Sequence, residues 1–292
     1  MSLYLKTYYP LEFMVAVINN FGGFYHTEVY FFELLKAGAT IKNPCVNNSY
    51  ELTCLRGTIV YVGFIHIIGL PDKLIETVIE ERAARGPYLH LQDFIERTNV
   101  GIKNLNKLIS IGAFAFTGKS KKRLLWEAAS LQKNNQPLLH TMPALFEEAP
   151  VEFSLPDLTD HPLDDVYDEM ELMGFSHTNP FSLVDDDPKK YVCAKDLHKH
   201  VGKTVTCLTY FVVRKHVITK NKDEMFFGTF MDQHLDWIDT VHFPDVARRY
   251  PLHTNGFYRI TGKVVTDFGT CSIEVQKVIR VGYRSRSYAN LG

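Results

Sequence analysis

Two turns that precede predicted helices combine glycine with lysine, a pairing suited to binding a phosphate group. The first turn carries Gly69 and Leu70, and Lys73 follows within the next helix. A helix N-terminus presents unpaired N–H groups to an anion, and glycine allows close approach of the backbone. The spacing predicts a helix-hairpin-helix whose Gly69 and Leu70 amides and Lys73 contact nucleic-acid phosphates. Because Pro71 lacks an N–H and favours helix initiation, a purely structural helix start is the alternative interpretation.

The second turn has the same features without a proline. Gly101 is followed by Lys103 and Asn104, and Lys107 lies one helical turn further on. These four residues are the predicted duplex-DNA contacts of a second hairpin. Further basic residues cluster nearby, although a run of charges is usually only a solvated face: Lys119, Lys121, Lys122 and Arg123.

Apolar residues recur with helical period through most of the first 133 residues. Helices are predicted over residues 10–21, 26–36, 72–85, 91–97, 103–111 and 119–133, and a strand over 58–62. Two helix-break-helix units within 50 residues suggest the tandem arrangement that grips both strands of a duplex, although plain helix packing gives the same pattern.

The last third of the chain has strand character. Five strands are predicted over residues 204–213, 224–231, 237–243, 256–265 and 270–281, with a short helix over 245–250. A helix between the third and fourth of five strands is the order of an OB-type barrel. Its ligand face consists of strands two and three and of the loops over 215–223 and 266–269.

Cations and one flat side chain on that face predict single-strand binding, because a basic rim follows the backbone while bases stack on an aromatic ring. Strict alternation puts Phe227 opposite Phe226 and Phe230, and we expect Phe227 on the ligand side; a register shift of one residue would exchange the faces. The predicted single-strand contacts are Arg214, Lys215, Lys220, Lys222, Phe227, His242, Arg259 and Lys263. A barrel that only packs against other protein is the alternative.

Charge is distributed unevenly beneath a net charge of -1. Residues 1–139 hold 15 Lys+Arg and 11 Asp+Glu, residues 140–188 hold 0 and 13, and residues 189–292 hold 17 and 9. The three segments are thus +4, -13 and +8, which indicates an acidic connector before a basic domain. Five scattered cysteines suggest neither a disulfide framework nor a zinc site, and no segment suggests export or membrane insertion, so we expect a cytoplasmic protein.

Many residues occur in the order found in a known family. They are Tyr4-Leu5-Lys6, Tyr9-Pro10, Glu12-Phe13-Met14, Asn19-Asn20, Ala37-Gly38, Pro44, Asn48-Ser49, Gly63-Phe64 through Gly69, Glu81-Arg82, Gly86-Pro87-Tyr88, Leu91-Gln92-Asp93-Phe94, Leu108-Ile109, Gly112-Ala113-Phe114, Glu171-Leu172-Met173-Gly174-Phe175, Met225, Phe227, Thr229, Asp232, His242-Phe243-Pro244 and Gly262-Lys263-Val264. In these residues the chain resembles the C-terminal half of the bacterial DNA polymerase III alpha subunit.

The resemblance implies a multidomain α+β protein: a mainly helical N-terminal part with a tandem helix-hairpin-helix, followed by a five-stranded OB-fold β-barrel. The expected segments are an outer-fingers remnant (1–56), the hairpins (57–133), an acidic connector (134–188), the OB domain (189–284) and a tail (285–292). It further implies a DNA-directed DNA polymerase, a nucleotidyltransferase, whose magnesium-binding palm lies outside this chain. We therefore expect no cofactor, no catalytic residue and no activity from this chain alone.

The implied function is to hold duplex product with the hairpins and single-stranded template with the barrel during replication. The connector adds a possible sliding-clamp tether, in which Leu145 and Phe146 fill an apolar groove and Met142 stands where the family carries glutamine. Other replisome subunits are possible partners, and no membrane is expected. The alternative function is a protein-interaction scaffold that docks the clamp or other subunits without binding DNA.

Overall fold

A computed structural model describes residues 2–134, 163–219, 222–252, 256–267 and 269–284. The chain divides into two units, residues 1–22 with 33–177 and residues 23–32 with 178–292. The helices are α1 Ser2–Tyr8, α2 Pro10–Asn19, α3 Thr27–Lys36, α4 Asp72–Arg85, α5 Leu91–Thr98, α6 Ile102–Ser110, α7 Lys121–Asn134, α8 Asp164–Met173 and α9 Pro244–Arg249. The strands are β1 Thr40–Lys42, β2 Cys54–Arg56, β3 Ile59–Tyr61, β4 Thr204–Ile218, β5 Glu224–Met231, β6 Trp237–His242, β7 Phe257–Asp267 and β8 Thr270–Val281.

Aromatic rings form the centre of the helical part of the first unit. Tyr88 packs edge-on against Phe94 with centroids 4.9 Å apart, and Phe94 packs edge-on against Phe114 at 5.0 Å. All three side chains are fully buried. Because Leu105 and Leu108 on α6 are also buried, this core fixes where the second hairpin begins its helix.

Arg97 ties the end of α4 to α5. Its guanidinium lies 4.2 Å from the centroid of the Tyr88 ring and donates to the carbonyls of Glu81 at 2.6 Å and Gly86 at 2.9 Å. The Gly86 carbonyl lies just beyond the last turn of α4, where backbone carbonyls have no intrahelical donor. Arg97 therefore stabilises the connection between the two hairpins.

A small sheet precedes the hairpins. Its strand order is β1-β3-β2, with β1 parallel and β2 antiparallel to β3. The sequence predicted only the middle strand, β3, because its residues Ile59, Val60 and Tyr61 have high strand propensity, whereas β1 and β2 are equally short and carry little such signal.

The second unit is built around a closed barrel with strand order β4-β5-β6-β8-β7, and β7 pairs with β4 to close it. Apolar residues that alternate along the strands fill its interior, among them Phe226, Phe230, Ile260 and Ile273. Gly262 stands at a bulge where an added Cβ would collide with the carbonyl of Glu274, so the close pairing of β7 and β8 requires glycine there.

The predicted fold class is confirmed: a helical part with hairpins precedes a five-stranded barrel whose order fits the OB fold. The prediction of α4 over residues 72–85 agrees with the structure to the residue, as do those of β5 and β8. One boundary matters for function. The first barrel strand was predicted to end at Val213, but β4 continues to Ile218, so Lys215 lies on a strand and not in a loop. The division into five segments stays a prediction.

Candidate nucleic-acid interface

The first hairpin is a tight turn between a short 3-10 helix, Phe64–His66, and α4. Gly69 has φ 65°, a left-handed conformation that favours glycine. The Leu70 N–H donates to the carbonyl of Ile67 at 3.2 Å, and the Leu70 side chain is only 8% exposed. The prediction that the Leu70 amide contacts a phosphate is therefore wrong, because this N–H closes the turn.

Donors for an anion remain at the start of α4. The N–H groups of Gly69, Asp72 and Lys73 form no hydrogen bond within the part of the chain that the structure describes. Lys73 is exposed in the first helical turn. Asp72 places a carboxylate in the same turn, which stabilises the helix dipole but opposes a phosphate. The first hairpin can thus donate hydrogen bonds to an anion, with its attraction weakened by Asp72.

The second hairpin also presents three N–H donors, and the first turn of its helix carries no carboxylate. Asn99 ends α5 in the left-handed conformation with φ 48°, and Gly101, with φ -72°, immediately precedes α6. Among the described residues, the N–H groups of Gly101, Ile102 and Lys103 form no hydrogen bond. Gly101 and Lys103 are exposed, and the first turn of α6 contains no acidic residue. This helix start is the better anion site of the two.

The two remaining hairpin residues have partners inside the protein. The backbone N–H of Asn104 donates to the carbonyl of Gly101 at 3.0 Å, and its side chain is half-buried. The ammonium of Lys107 donates to the carbonyls of Ile68 at 2.7 Å and Gly69 at 2.9 Å, both in the first hairpin. Lys107, in the last turn of α6, therefore joins that helix to the first turn.

The basic cluster beside the hairpins is largely engaged in ion pairs. Lys119 pairs with Glu127 at 2.9 Å, and Arg123 reaches the same carboxylate at 3.4 Å. Lys121 pairs with Asp165 at 2.6 Å and with Asp168 at 3.0 Å. Burial lowers the pKa of Lys121, but its hydrogen bonds to these two aspartates outweigh burial and raise that pKa above its usual value. These cations anchor helices and are not an open basic surface.

The outward face of the barrel presents an aromatic ring beside a cation. Phe227 on β5 is 46% exposed, whereas its neighbour Phe226 is buried in the barrel. Lys215 on β4 is directly opposite Phe227 in the antiparallel ladder and is also exposed, and Val241 on β6 is opposite Phe227 on the other side. The sequence therefore assigned the alternation of β5 correctly.

His242 does not belong to that face. It is fully buried, its ring stacks on Phe226 with centroids 4.1 Å apart, and its Nε2 lies 3.0 Å from the Thr240 hydroxyl. In the ladder it is opposite Phe226, so its side chain points inward. Burial lowers its pKa to about 3. The prediction of His242 as a single-strand contact is wrong, because a neutral core side chain cannot reach a bound strand.

Arg214 is also committed to the protein. Its guanidinium donates to the carbonyl of Leu252 and lies 6.0 Å from the centroid of the Phe226 ring. Lys222 is exposed in the turn before β5 with φ 66°, a conformation that a non-glycine residue adopts only occasionally. Lys220, the remaining predicted cation of this turn, lies outside the described residues.

The two predicted cations of β7 differ from each other. Arg259 donates to Asp186 at 2.7 Å, and its guanidinium lies 5.6 Å from the centroid of the Tyr191 ring. Arg259 therefore fastens the segment before the barrel, and its guanidinium is already paired with a carboxylate and not free for a DNA phosphate. Lys263 is exposed, and its ladder neighbours are Thr204 and Glu274. The Glu274 carboxylate lowers the positive potential around Lys263.

One contact that holds the first hairpin was not predicted from the sequence. The Ile68 N–H donates to the carbonyl of Leu172 at 2.7 Å, so the last turn of α8 holds the first hairpin. Leu172 belongs to the segment predicted as a connector. No local signal marks a hydrogen bond between residues a hundred positions apart.

Similarity to known proteins covers nearly the whole chain. A family model described as a helix-hairpin-helix motif matches residues 38–124. Error-prone DNA polymerases of Bdellovibrio bacteriovorus and Mycobacterium tuberculosis are 25% and 22% identical over 96% and 98% of this chain. DNA polymerase III subunit alpha of Staphylococcus epidermidis is 27% identical over 89% of it. This chain is a relative of the DNA polymerase III alpha subunit.

The relationship confirms the resemblance, and it concerns only part of each polymerase. The chain spans about a quarter of the length of these relatives, from 25% to 28%. The helix-hairpin-helix match to residues 38–124 includes both hairpins of this chain. Met142, Leu145 and Phe146, the predicted clamp contacts, lie outside the described residues. Among the helices that are described, none has the length and apolar character needed to cross a membrane.

Proposed function

We propose that this chain is the DNA-holding part of a replicative polymerase of the alpha-subunit type. The helix-hairpin-helix region would bind duplex product, and the barrel would bind single-stranded template. The observation that carries the proposal is the start of α6, where three N–H groups without hydrogen bonds in the described structure adjoin exposed Lys103. Such a helix start binds an anion without reading a base, as a polymerase that copies any sequence requires.

The barrel supports the second half of the proposal through Phe227 and Lys215. An exposed ring stacks on a base of any identity, and an adjacent ammonium binds the neighbouring phosphate. Both side chains lie on the face formed by the second and third strands and the adjoining strand β4. Lys222 in the adjoining turn extends the same basic rim.

In this proposal the chain itself performs no chemistry. Nucleotide transfer and the magnesium it uses would belong to a palm outside this chain, and this chain would act in the cytoplasm. A sliding clamp would bind the connector through Leu145 and Phe146, and other replisome subunits would dock nearby. A scaffold that docks such subunits without touching DNA is the competing proposal, and oligonucleotide binding separates the two.

The duplex contact is tested with Lys103→Met. Binding of a fluorescent 20-base-pair duplex is measured by anisotropy between low and moderate salt, for the wild type and the variant. Loss of one phosphate contact should weaken binding at every sequence and reduce the slope of log affinity against log salt by about 1. An unchanged slope would remove Lys103 from the interface, and no binding by the wild type would favour the scaffold.

The single-strand contact is tested with Phe227→Ala. We expect the affinity for an unpaired oligonucleotide to fall about fivefold to a hundredfold, the usual loss for one stacked base. Ile279→Ala is the matched control, because Ile279 is 39% exposed on β8 and is paired with Arg259, away from Phe227. Equal effects of the two substitutions would mean that bases do not stack on Phe227.

A further inference from the structure

Lys107 connects the two hairpins through hydrogen bonds that the sequence does not indicate. Its ammonium accepts no hydrogen bond and has three N–H groups. Two of them donate to the carbonyls of Ile68 and Gly69, at N···O distances of 2.7 and 2.9 Å. Lys107 itself belongs to α6, which begins at the second hairpin. One side chain in the last turn of α6 therefore holds a turn that lies 39 residues earlier in sequence.

The first turn is held on both sides of the same peptide segment. The Lys107 ammonium donates to the carbonyls of Ile68 and Gly69, and the Ile68 N–H donates to the carbonyl of Leu172 at 2.7 Å. An ammonium that bonds carbonyls forms charge-assisted hydrogen bonds, which are stronger than neutral ones. The Gly69 N–H, which forms no hydrogen bond in the described structure, is thereby held in one orientation. Its direction depends on an atom of the other hairpin.

We propose that Lys107 is a positioning residue that fastens α6 to the first turn, so that the starts of α4 and α6 act as one duplex-binding surface. This deepens the proposed function and rests on it. Without the ammonium, the first turn would have to be ordered when DNA binds, and that ordering would reduce affinity. The effect differs from loss of a phosphate contact, because ordering does not change the number of counterions released.

Three variants distinguish positioning from contact. Lys107→Met removes the ammonium and keeps most of the apolar stem, and we expect duplex affinity to fall roughly tenfold, in the range for loss of hydrogen bonds to a charged group. Its salt slope should stay close to that of the wild type. Lys103→Met, on the same helix and exposed, is the matched control whose slope should fall by about 1. Lys107→Arg should retain most of the affinity.

Chemical rescue tests whether the missing ammonium itself, and not a general loss of structure, lowers duplex affinity. Lys107→Ala lacks the atoms that propylammonium supplies, so propylammonium should restore duplex affinity to this variant at constant ionic strength. Lys103→Ala should show no rescue. Hydrogen exchange of residues 67–74 reports the same lock without DNA, and we expect faster exchange in Lys107→Met than in the wild type.

The outcomes distinguish failure of the Lys107 lock from failure of the proposed DNA-binding function. Wild-type protein that ignores duplex DNA overturns both. Equal duplex affinity of wild type and Lys107→Met, or equal exchange of residues 67–74, overturns the lock alone. A salt slope that falls by about 1 in Lys107→Met, together with no rescue of Lys107→Ala by propylammonium, would make Lys107 a direct phosphate contact, contrary to the proposal.

Discussion

Replacing His242 with leucine should make the barrel less sensitive to acid. Thr240 has one hydroxyl hydrogen and donates it to the carbonyl of Gly228 at 2.9 Å, so the imidazole Nε2, 3.0 Å from that hydroxyl, carries the ring proton. The other nitrogen, Nδ1, is buried and has no hydrogen-bond partner among the described residues. Adding a proton there would place an unpaired charge inside the barrel, which explains why the pKa is lowered to about 3.

The magnitude follows from proton linkage. The unfolded chain protonates His242 below its ordinary pKa of 6.5, whereas the folded barrel keeps it neutral until about pH 3. Stability from this group is therefore complete above pH 6.5 and is lost as the pH falls toward 3. At about 1.4 kcal/mol per pH unit, the wild type loses about 2 kcal/mol between pH 6.5 and pH 5 that His242→Leu keeps. At pH 7 the two should differ by only about 1 kcal/mol, since one hydrogen bond is lost.

Urea unfolding at pH 7 and pH 5 measures this difference. Trp237 lies on β6 of the barrel and Trp126 on α7, so both proteins carry Trp126→Phe and their fluorescence reports the barrel. This reporter is needed because burial also lowers the pKa of His66, in the first unit, to about 4. Parallel loss of stability in the two proteins on acidification would refute the buried, neutral His242. A drop in single-strand affinity of His242→Leu at pH 7 would refute its exclusion from the interface.

Two further substitutions test the hairpins. Gly101→Ala should leave stability within about 0.5 kcal/mol, because Gly101 has φ -72° and an added Cβ meets no atom of the described residues within 4 Å. It should nevertheless weaken duplex binding by obstructing close approach of a phosphate, and unchanged duplex affinity in an anisotropy titration would contradict that approach. Arg97→Met should lower the free energy of unfolding of the first unit by about 2 to 3 kcal/mol, because it removes a buried guanidinium that pairs with Glu81 and Asp93 and donates to the carbonyls of Glu81 and Gly86. Urea unfolding followed by Trp126 fluorescence measures this loss, and a change below about 1 kcal/mol would mean that Arg97 does not fasten the hairpins.

Local patterns sufficed where the sequence signal is local. The helix over residues 72–85 begins after a proline and ends at glycine, and the structure has α4 over that range with Gly86 at its end. Alternation along β5 separated exposed Phe227 from buried Phe226. Both inferences need only neighbours within one element.

The site could not be predicted where its residues depend on distant partners. As a polar residue, His242 was expected on the surface. The pairing of β5 with β6 instead places it opposite Phe226 and inside the barrel. Lysine in a basic hairpin suggests a DNA contact, yet Lys107 bonds carbonyls of the other hairpin. Arg259 similarly pairs with Asp186, far away in sequence. Charge and residue type show what a side chain can bind but not which partner the fold supplies.

In the proposed function, exposed amides, cations and one aromatic ring bind DNA without altering it chemically. The decisive experiment is a titration of the wild-type chain with a forked oligonucleotide that has a duplex end and an unpaired arm. We predict micromolar or tighter binding in dilute buffer, a linear fall of log affinity with log salt, and an intact oligonucleotide afterwards. No binding to the fork in dilute buffer, or binding that salt does not weaken, would contradict this account.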